Sequence, residues 1–296
     1  MSQLAEQSRS LETALEDFLR ALNGKNRSGA TIRAYRTDVL QFIIWLHENN
    51  VVIANPKQVE KMDITEYLAT LAARKVSGTS RARKVAAIRE YFRYCEEHGL
   101  ITRSPATTIE VPKREQKART YLQPSEYTKM LSLAGSNVRD YAILQVFLQT
   151  GVRVSELCNL RLDDVNFEGR ALLVRAGKGG VAREIELEKK VLQALKNYLV
   201  ARPRVLDDHL FLNRDGEPLG ERGVRKLVVK YVNAAQINKK ASCHSLRHTF
   251  ATYKAQRGVS SFRLKEWLGH RNLNTTEIYV HLGKVNAHKE METTSL

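Results

Sequence analysis

Cysteine is scarce in this chain and poorly placed for chemistry. Cys95, Cys158 and Cys243 are odd in number, far apart, and without metal-ligand or redox spacing. They read as buried free thiols in apolar or mixed segments. Apolar runs are short as well: no stretch of about 18 residues could span a membrane. The polar segment from Met1 to Arg9 lacks the apolar stretch of a signal peptide. A cytoplasmic protein without a membrane partner is therefore expected. Nucleotide-binding and metal motifs are missing too. Gly177-Lys178-Gly179 lacks the earlier glycine and the following Ser or Thr of a P-loop. His244 and His248 have a helical four-residue spacing, but no Glu lies between them and no third zinc ligand is evident. No cofactor and no metal are expected. There is no internal repeat and no low-complexity segment.

What is present in excess is positive charge. Lys and Arg total 48 against 32 for Asp and Glu, a formal +16 over 296 residues. A surplus of that size points to a polyanionic partner. It is uneven: Met1 to Pro112 carries about +3 and the remainder about +13.

The first third reads as helices. Leu11, Ala14, Leu15, Phe18, Leu19 and Leu22 recur at a helical period. Ser28 caps a second helix with Ile32, Tyr35, Val39, Phe42, Ile43 and Leu46 on its apolar face. A third runs from Asp63, as cap, to Arg74. A fourth follows Ser77-Gly78, carries Val85, Ile88, Tyr91 and Phe92, and ends near Gly99. Between the last two helices lies a basic cluster, Arg74, Lys75, Arg81, Arg83 and Lys84, continuing to Arg89 and Arg93. Acidic residues are nearly absent from it, so we read it as a nucleic-acid contact. Pro105 to Arg119 reads as a linker, with two prolines, little periodicity, and the basic residues Lys113, Arg114, Lys117 and Arg119. The organisation expected is a helical domain at 1–112, a basic linker at 113–119 and a second domain at 120–296, with Lys113 and Arg114 lying against phosphates.

The second domain opens with helices at Pro124–Leu133 and Val138–Gln149. Two short strands follow, Arg170–Ala176 and Val181–Leu187, joined by a hairpin turn at Gly177-Lys178-Gly179-Gly180. From Leu192 onward the chain reads as helical again. The fold class expected is mostly α with a small antiparallel β-sheet in the second domain.

Several polar residues interrupt otherwise well-patterned segments. Arg153 follows a helix end marked by Gly151. Lys178 sits at the hairpin tip. His244 and Arg247, three apart, share a helix face. His270 follows the helix-ending Gly269, and Tyr279 comes early in a helix opened by Asn274-Thr-Thr-Glu277. Singly, these have ordinary readings: a surface arginine, a solvated turn lysine, a C-capping histidine, a core tyrosine. Together they have a specific one. Thr150-Gly-Val-Arg-Val-Ser-Glu-Leu157, Gly177-Lys-Gly179, His244-Ser-Leu-Arg-His-Thr-Phe-Ala-Thr252, Leu268-Gly-His270 and Thr275-Thr-Glu-Ile-Tyr279 resemble, in order, the motifs of the tyrosine recombinase (phage integrase) family. Thr31 and Tyr35 through Phe42 resemble the family's helical core-binding domain. The likeness is nearest to Xer-type and transposon-resolvase members.

The resemblance implies a two-domain clamp around double-stranded DNA, with a homotetramer joining two specific recombination sites. It implies that Arg153, Lys178, His244, Arg247, His270 and Tyr279 are catalytic, and that Glu156 braces the site. Attack on a phosphodiester builds negative charge on its oxygens. Arg153 and Arg247 stay charged at any working pH and can hold the two non-bridging oxygens, with His270 donating a further hydrogen bond. Tyr279 must lose its proton as it attacks, with His244 as base. Lys178 resembles the family's general acid for the leaving 5′-oxygen. A 3′-phosphotyrosine replaces one phosphoester with another, so rejoining needs no ATP. The task implied is integration, excision, cointegrate resolution or replicon-dimer resolution. A non-cleaving DNA-binding protein of the same fold and a type IB topoisomerase are the alternatives. Metal-dependent cleavage would use paired carboxylates. Asp163-Asp164 is the obvious pair here, and it reads as part of a turn.

Overall fold

The structure is a computed structural model, and it describes residues 9–49, 53–112, 120–175 and 182–269. The chain divides into two compact units, Met1–Lys117 and Ala118–Leu296.

The first unit holds four helices: α1 (Leu11–Gly24), α2 (Gly29–Asn49), α3 (Lys61–Ala73) and α4 (Gly78–Glu97). The apolar stripe expected on α1 is buried in full. Its start is set by Ser10, whose hydroxyl accepts from the backbone N–H of Thr13 at 3.2 Å. Ser28 caps α2 in the same way through Thr31 N–H at 3.1 Å. Ser77 caps α4 through Ser80 N–H at 3.3 Å. The third helix departs from the expectation. Asp63 lies inside α3, where its carboxylate accepts the backbone N–H of Glu60 at 2.7 Å. An acidic residue in the first turn serves the same orphan donors from within the helix. Phe18, Phe42, Tyr67, Tyr91 and Phe92 fill the centre of the bundle, and the Tyr91 hydroxyl donates to the Leu11 carbonyl at 3.0 Å.

The stretch after α4 packs on the first unit as far as Ile109 rather than starting a linker at Pro105. Ala106 and Ile109 are buried in the first core, and the Arg89 guanidinium donates to both of their carbonyls. Two prolines and weak periodicity disguised a segment that packs without being helical.

The second unit begins with α5 (Pro124–Ala134), α6 (Val138–Thr150) and the short α7 (Val154–Cys158). A three-stranded antiparallel sheet follows in the order β1 (Val165–Asn166), β2 (Ala171–Val174), β3 (Arg183–Glu186). Register is set by pairs from Ala171 with Glu186 to Val174 with Arg183. The turn expected between β2 and β3, with Lys178, lies outside the described residues. β1 was not anticipated, because two residues give no readable alternation. Helices α8 (Lys189–Ala201), α9 (Glu221–Ala234), α10 (Cys243–Gln256) and α11 (Ser261–Leu268) complete the described part. They are not continuous. Residues 202–220 form an irregular crossing with isolated bridges, Arg161 to His209 and Leu212 to Pro218.

The main core of this unit centres on Phe147, Leu172, Ile185, Leu195, Tyr198 and Phe211. A separate small cluster of Phe250, Ala251, Ala255, Leu264 and Leu268 binds α10 to α11. Cys95 and Cys243 are buried and Cys158 is partly so, all as free thiols. Burial pushes the Cys95 and Cys158 thiols up to about 12, so neither supplies a thiolate near neutral pH. Among the described residues, no helix is long and apolar enough to cross a membrane.

Candidate active site

The site is organised around the end of α6. Gly151 closes that helix in the left-handed conformation, with φ of 63°. Space also demands glycine there. A Cβ would lie 2.4 Å from the Phe250 ring and 3.0 Å from a Leu268 methyl. The close approach lets the chain turn between α10 and α11 and begin α7 with Arg153 as its N-cap.

Arg153 is held by its own first helical turn. Its backbone N–H donates to Glu156 Oε2 at 2.7 Å, and its Nη1 donates to Glu156 Oε1 at 2.8 Å. About a third of the Arg153 side chain stays exposed. Arg247 approaches from α10 and is buried. Its Nη1 donates to the Gly151 carbonyl at 2.7 Å and lies 3.9 Å from Glu156 Oε2. His244 lies one turn earlier on α10 and is exposed. The rings of His244 and His248 are 6.4 Å apart, centroid to centroid.

A third arginine joins this pair, and the sequence reading passed over it. Arg183 of β3 is buried, with 5% of its side chain exposed. Its Nη1 and Nη2 donate to the two oxygens of Glu156 at 3.1 and 2.8 Å. The signal was available in the alternation of residues 181–187. That pattern puts Arg183 on the face of Ile185, the buried face, where a charge needs a partner.

Glu156 is thus the centre of the arrangement. Burial alone would raise its pKa. The bonds from Arg183 and Arg153 outweigh that and lower it to about 2. The carboxylate is ionised throughout the working range, and among the described residues three positive charges against one negative leave a net +2 around it. An anion entering between the arginines meets that surplus.

The same three arginines finish α11. A helix leaves its last carbonyls without intrahelical partners. Here Arg183 Nε donates to the Trp267 carbonyl at 2.6 Å, Arg247 Nη2 to Leu268 at 2.5 Å, and Arg153 Nη2 to Gly269 at 3.2 Å. Positive charge also suits the negative end of the helix dipole. Gly269 is left-handed, with φ of 61°, and ends the helix as the sequence suggested. His270 is the next residue. His270, Tyr279 and Lys178, like Lys113 and Arg114, lie outside the described residues. Of the proposed catalytic set, the described members Arg153, His244 and Arg247 fall on α7's cap and α10, and the two arginines converge on Glu156.

The acidic pair Asp163-Asp164 falls in a turn, as the sequence suggested. Asp164 lies in a short 3-10 turn, buried, and accepts from Arg175 Nε at 2.6 Å and Arg161 N–H at 2.8 Å. Several tyrosines are poor nucleophiles. Burial pushes Tyr67 and Tyr231 up to about 12, and Tyr91 further in the same direction.

The basic cluster of the first unit is more divided than expected. Arg74, Lys75 and Arg83 are exposed, and Arg81 donates to the Val76 carbonyl at 3.1 Å. Lys84 does not face solvent. It is buried, with its ammonium 3.1 Å from Asp38 and in contact with Gln41. Arg83 pairs with the other oxygen of Asp38. The cluster's missing acidic partner comes from α2, so Lys84 as a DNA contact is overturned.

Residues 120–285 match the model of the phage integrase family, and residues 15–99 match the phage integrase N-terminal SAM-like domain. A tyrosine recombinase from Pseudothermotoga lettingae is 35% identical over 92% of this chain and 94% of its own length. The tyrosine recombinase XerC of Anoxybacillus flavithermus is 32% identical over 88% of this chain and 89% of its own. Among solved structures, the Tn1549 transposon integrase in complex with a circular intermediate DNA is similar in fold. Its TM-score is 0.77 at 21% identity, covering 97% of this chain and 99% of the other.

Proposed function

The chain belongs to the phage integrase family and is a tyrosine recombinase, an enzyme that cleaves and rejoins DNA; from that premise we propose how its residues divide the work. Arg153 and Arg247 hold the non-bridging oxygens of the scissile phosphate. The observation that supports this is their convergence on Glu156 from two elements far apart in the chain, with net positive charge left over. Fixed charges in a partly buried site stabilise developing negative charge without reorganising, which is where most phosphoryl-transfer catalysis originates. The phenolic oxygen of Tyr279 attacks phosphorus as His244 takes its proton. The bond to the 5′-oxygen breaks, and that oxygen receives a proton from Lys178. His270 donates a hydrogen bond to the phosphoryl group. A 3′-phosphotyrosine and a free 5′-hydroxyl result, and the reverse step on a partner strand completes the exchange.

The partner is double-stranded DNA carrying specific recombination sites, engaged by four copies of this chain. Arg74, Lys75, Arg81 and Arg83 of the first unit, with Lys113 and Arg114, contact the backbone. The enzyme's task falls among integration or excision of a mobile element, cointegrate resolution and resolution of replicon dimers. The test is a nicked suicide substrate resolved on a denaturing gel. Wild-type protein should form a covalent DNA adduct, and Tyr279→Phe should bind the site equally well without forming it. An adduct from the Phe variant would refute Tyr279 as the nucleophile.

A further inference from the structure

We propose that Arg183 is a positioning residue for strand cleavage: it fixes the Glu156 carboxylate so that Arg153 and Arg247 meet the phosphate as a set pair. This rests on the reading of those two arginines as the phosphate holders.

Arg183 cannot itself serve the DNA. Its side chain is 5% exposed, and its contacts are spent inside the protein. Those contacts all belong to the site. Each oxygen of Glu156 accepts one bond from the Arg183 fork, and the same two oxygens accept Arg153 through its backbone and side chain. The planar fork of Arg183 sets the plane of the carboxylate. Without it, the carboxylate is free to turn and draw Arg153 into a fork of its own. That would tie up the guanidinium meant for the phosphate, while loss of the Arg183 charge itself lowers the local surplus from +2 to +1.

The third donor of Arg183 points the same way. Nε caps the Trp267 carbonyl, beside the carbonyls capped by Arg247 and Arg153. A Cβ on Gly269 would lie 2.9 Å from Arg183 Nη1, so the backbone preceding His270 rests on this guanidinium. β3 carries the residue in register with Val174 on β2, which anchors it to the sheet. One side chain therefore ties the sheet to the carboxylate and to the end of α11. A displacement of about 1 Å in such a frame can cost on the order of a hundredfold in rate.

The experiment compares Arg183→Met and Arg183→Lys, each alone and combined with Arg153→Lys. Thermal melting, single-site DNA affinity and single-turnover cleavage at saturating protein are measured for each. Arg183→Met should bind DNA within about threefold of wild type and cleave roughly ten- to hundredfold more slowly. Arg183→Lys, with a charge but no fork, should recover only part of the rate. If Arg183 acts through Arg153, its loss should cost little more once Arg153 is already Lys. Wild-type cleavage by Arg183→Met overturns the inference, and so does an equal loss in both backgrounds. Should Arg183→Met fail to fold, the same comparison is read from Arg183→Lys. If Arg153→Lys alone cleaves at the full rate, the phosphate assignment falls and the inference with it. If Arg153→Lys is slow and the Arg183 variants are not, the inference alone falls.

Discussion

Arg247 donates to the carbonyl of Leu268 at 2.5 Å, joining the N-terminal half of α10 to the last residue of α11. The bond from its other nitrogen to Gly151 makes this buried side chain a clasp between three segments. A charged residue placed for catalysis is thus also structural, and its replacement should show both effects. Arg247→Ala should lose cleavage by on the order of a hundredfold or more. It should also destabilise the second unit by about 1–3 kcal/mol, through carbonyls left without donors. Arg247→Lys keeps the charge but not the fork, and should regain some rate with less stability. Calorimetry and single-turnover cleavage separate the two, and an Ala variant that melts normally would remove the structural role.

Glu156 makes stability depend on acid. Its pKa in the folded protein is about 2, below the ordinary 4.5. The ionised form therefore contributes stability that is fully present above about 4.5 and is lost as pH falls toward about 2. Glu156→Gln lacks that contribution at every pH. The gap in melting temperature between wild type and Glu156→Gln should be widest near neutrality and should narrow between about pH 4.5 and about pH 2. A gap that stays constant over that window would mean the arginines do not depend on the carboxylate's charge.

Two left-handed glycines separate backbone strain from crowding. Gly99 has φ of 68° and nothing within 4 Å of a Cβ, whereas Gly151 at 63° has Phe250 at 2.4 Å. Gly99→Ala should cost about 1–2 kcal/mol, from the conformation alone. Gly151→Ala adds overpacking of about 1–3 kcal/mol and should also slow cleavage by moving Arg153. Equal melting shifts for the two variants would show that the α10–α11 contact yields without cost.

Asp38 divides the basic cluster into structural and exposed parts. Asp38→Ala leaves Lys84 buried without its carboxylate and should destabilise the first unit by about 3–5 kcal/mol. Adding Lys84→Met should restore most of that loss. Lys84→Met by itself should leave the salt dependence of DNA binding unchanged, whereas Arg83→Ala should reduce its slope by about one. A lowered slope for Lys84→Met would return that residue to the DNA surface.

The elements of this fold could be read locally because each is announced by neighbours in sequence. The period of Leu11, Ala14, Leu15, Phe18, Leu19 and Leu22 requires only one apolar face. Ser10, Ser28 and Ser77 cap donors three residues away, and Gly151 and Gly269 end helices for reasons of φ. Boundaries slipped where the cue was ambiguous, as at Asp63, or where packing replaced periodicity, as at Ala106 and Ile109. The placing of Arg153, His244 and Arg247 in well-patterned segments was likewise visible from sequence. What a charge does there was not. Lys84 looked like a DNA contact because its partner Asp38 lies on a different helix, and Arg183 went unremarked in an alternating strand because its partner Glu156 lies 27 residues earlier. Burial and the nearest opposite charge are set by how the helices and sheet come together. A chain with a net +16 therefore declares a polyanionic partner by composition, while tertiary packing alone decides which arginines stay exposed and which close around a partly buried carboxylate.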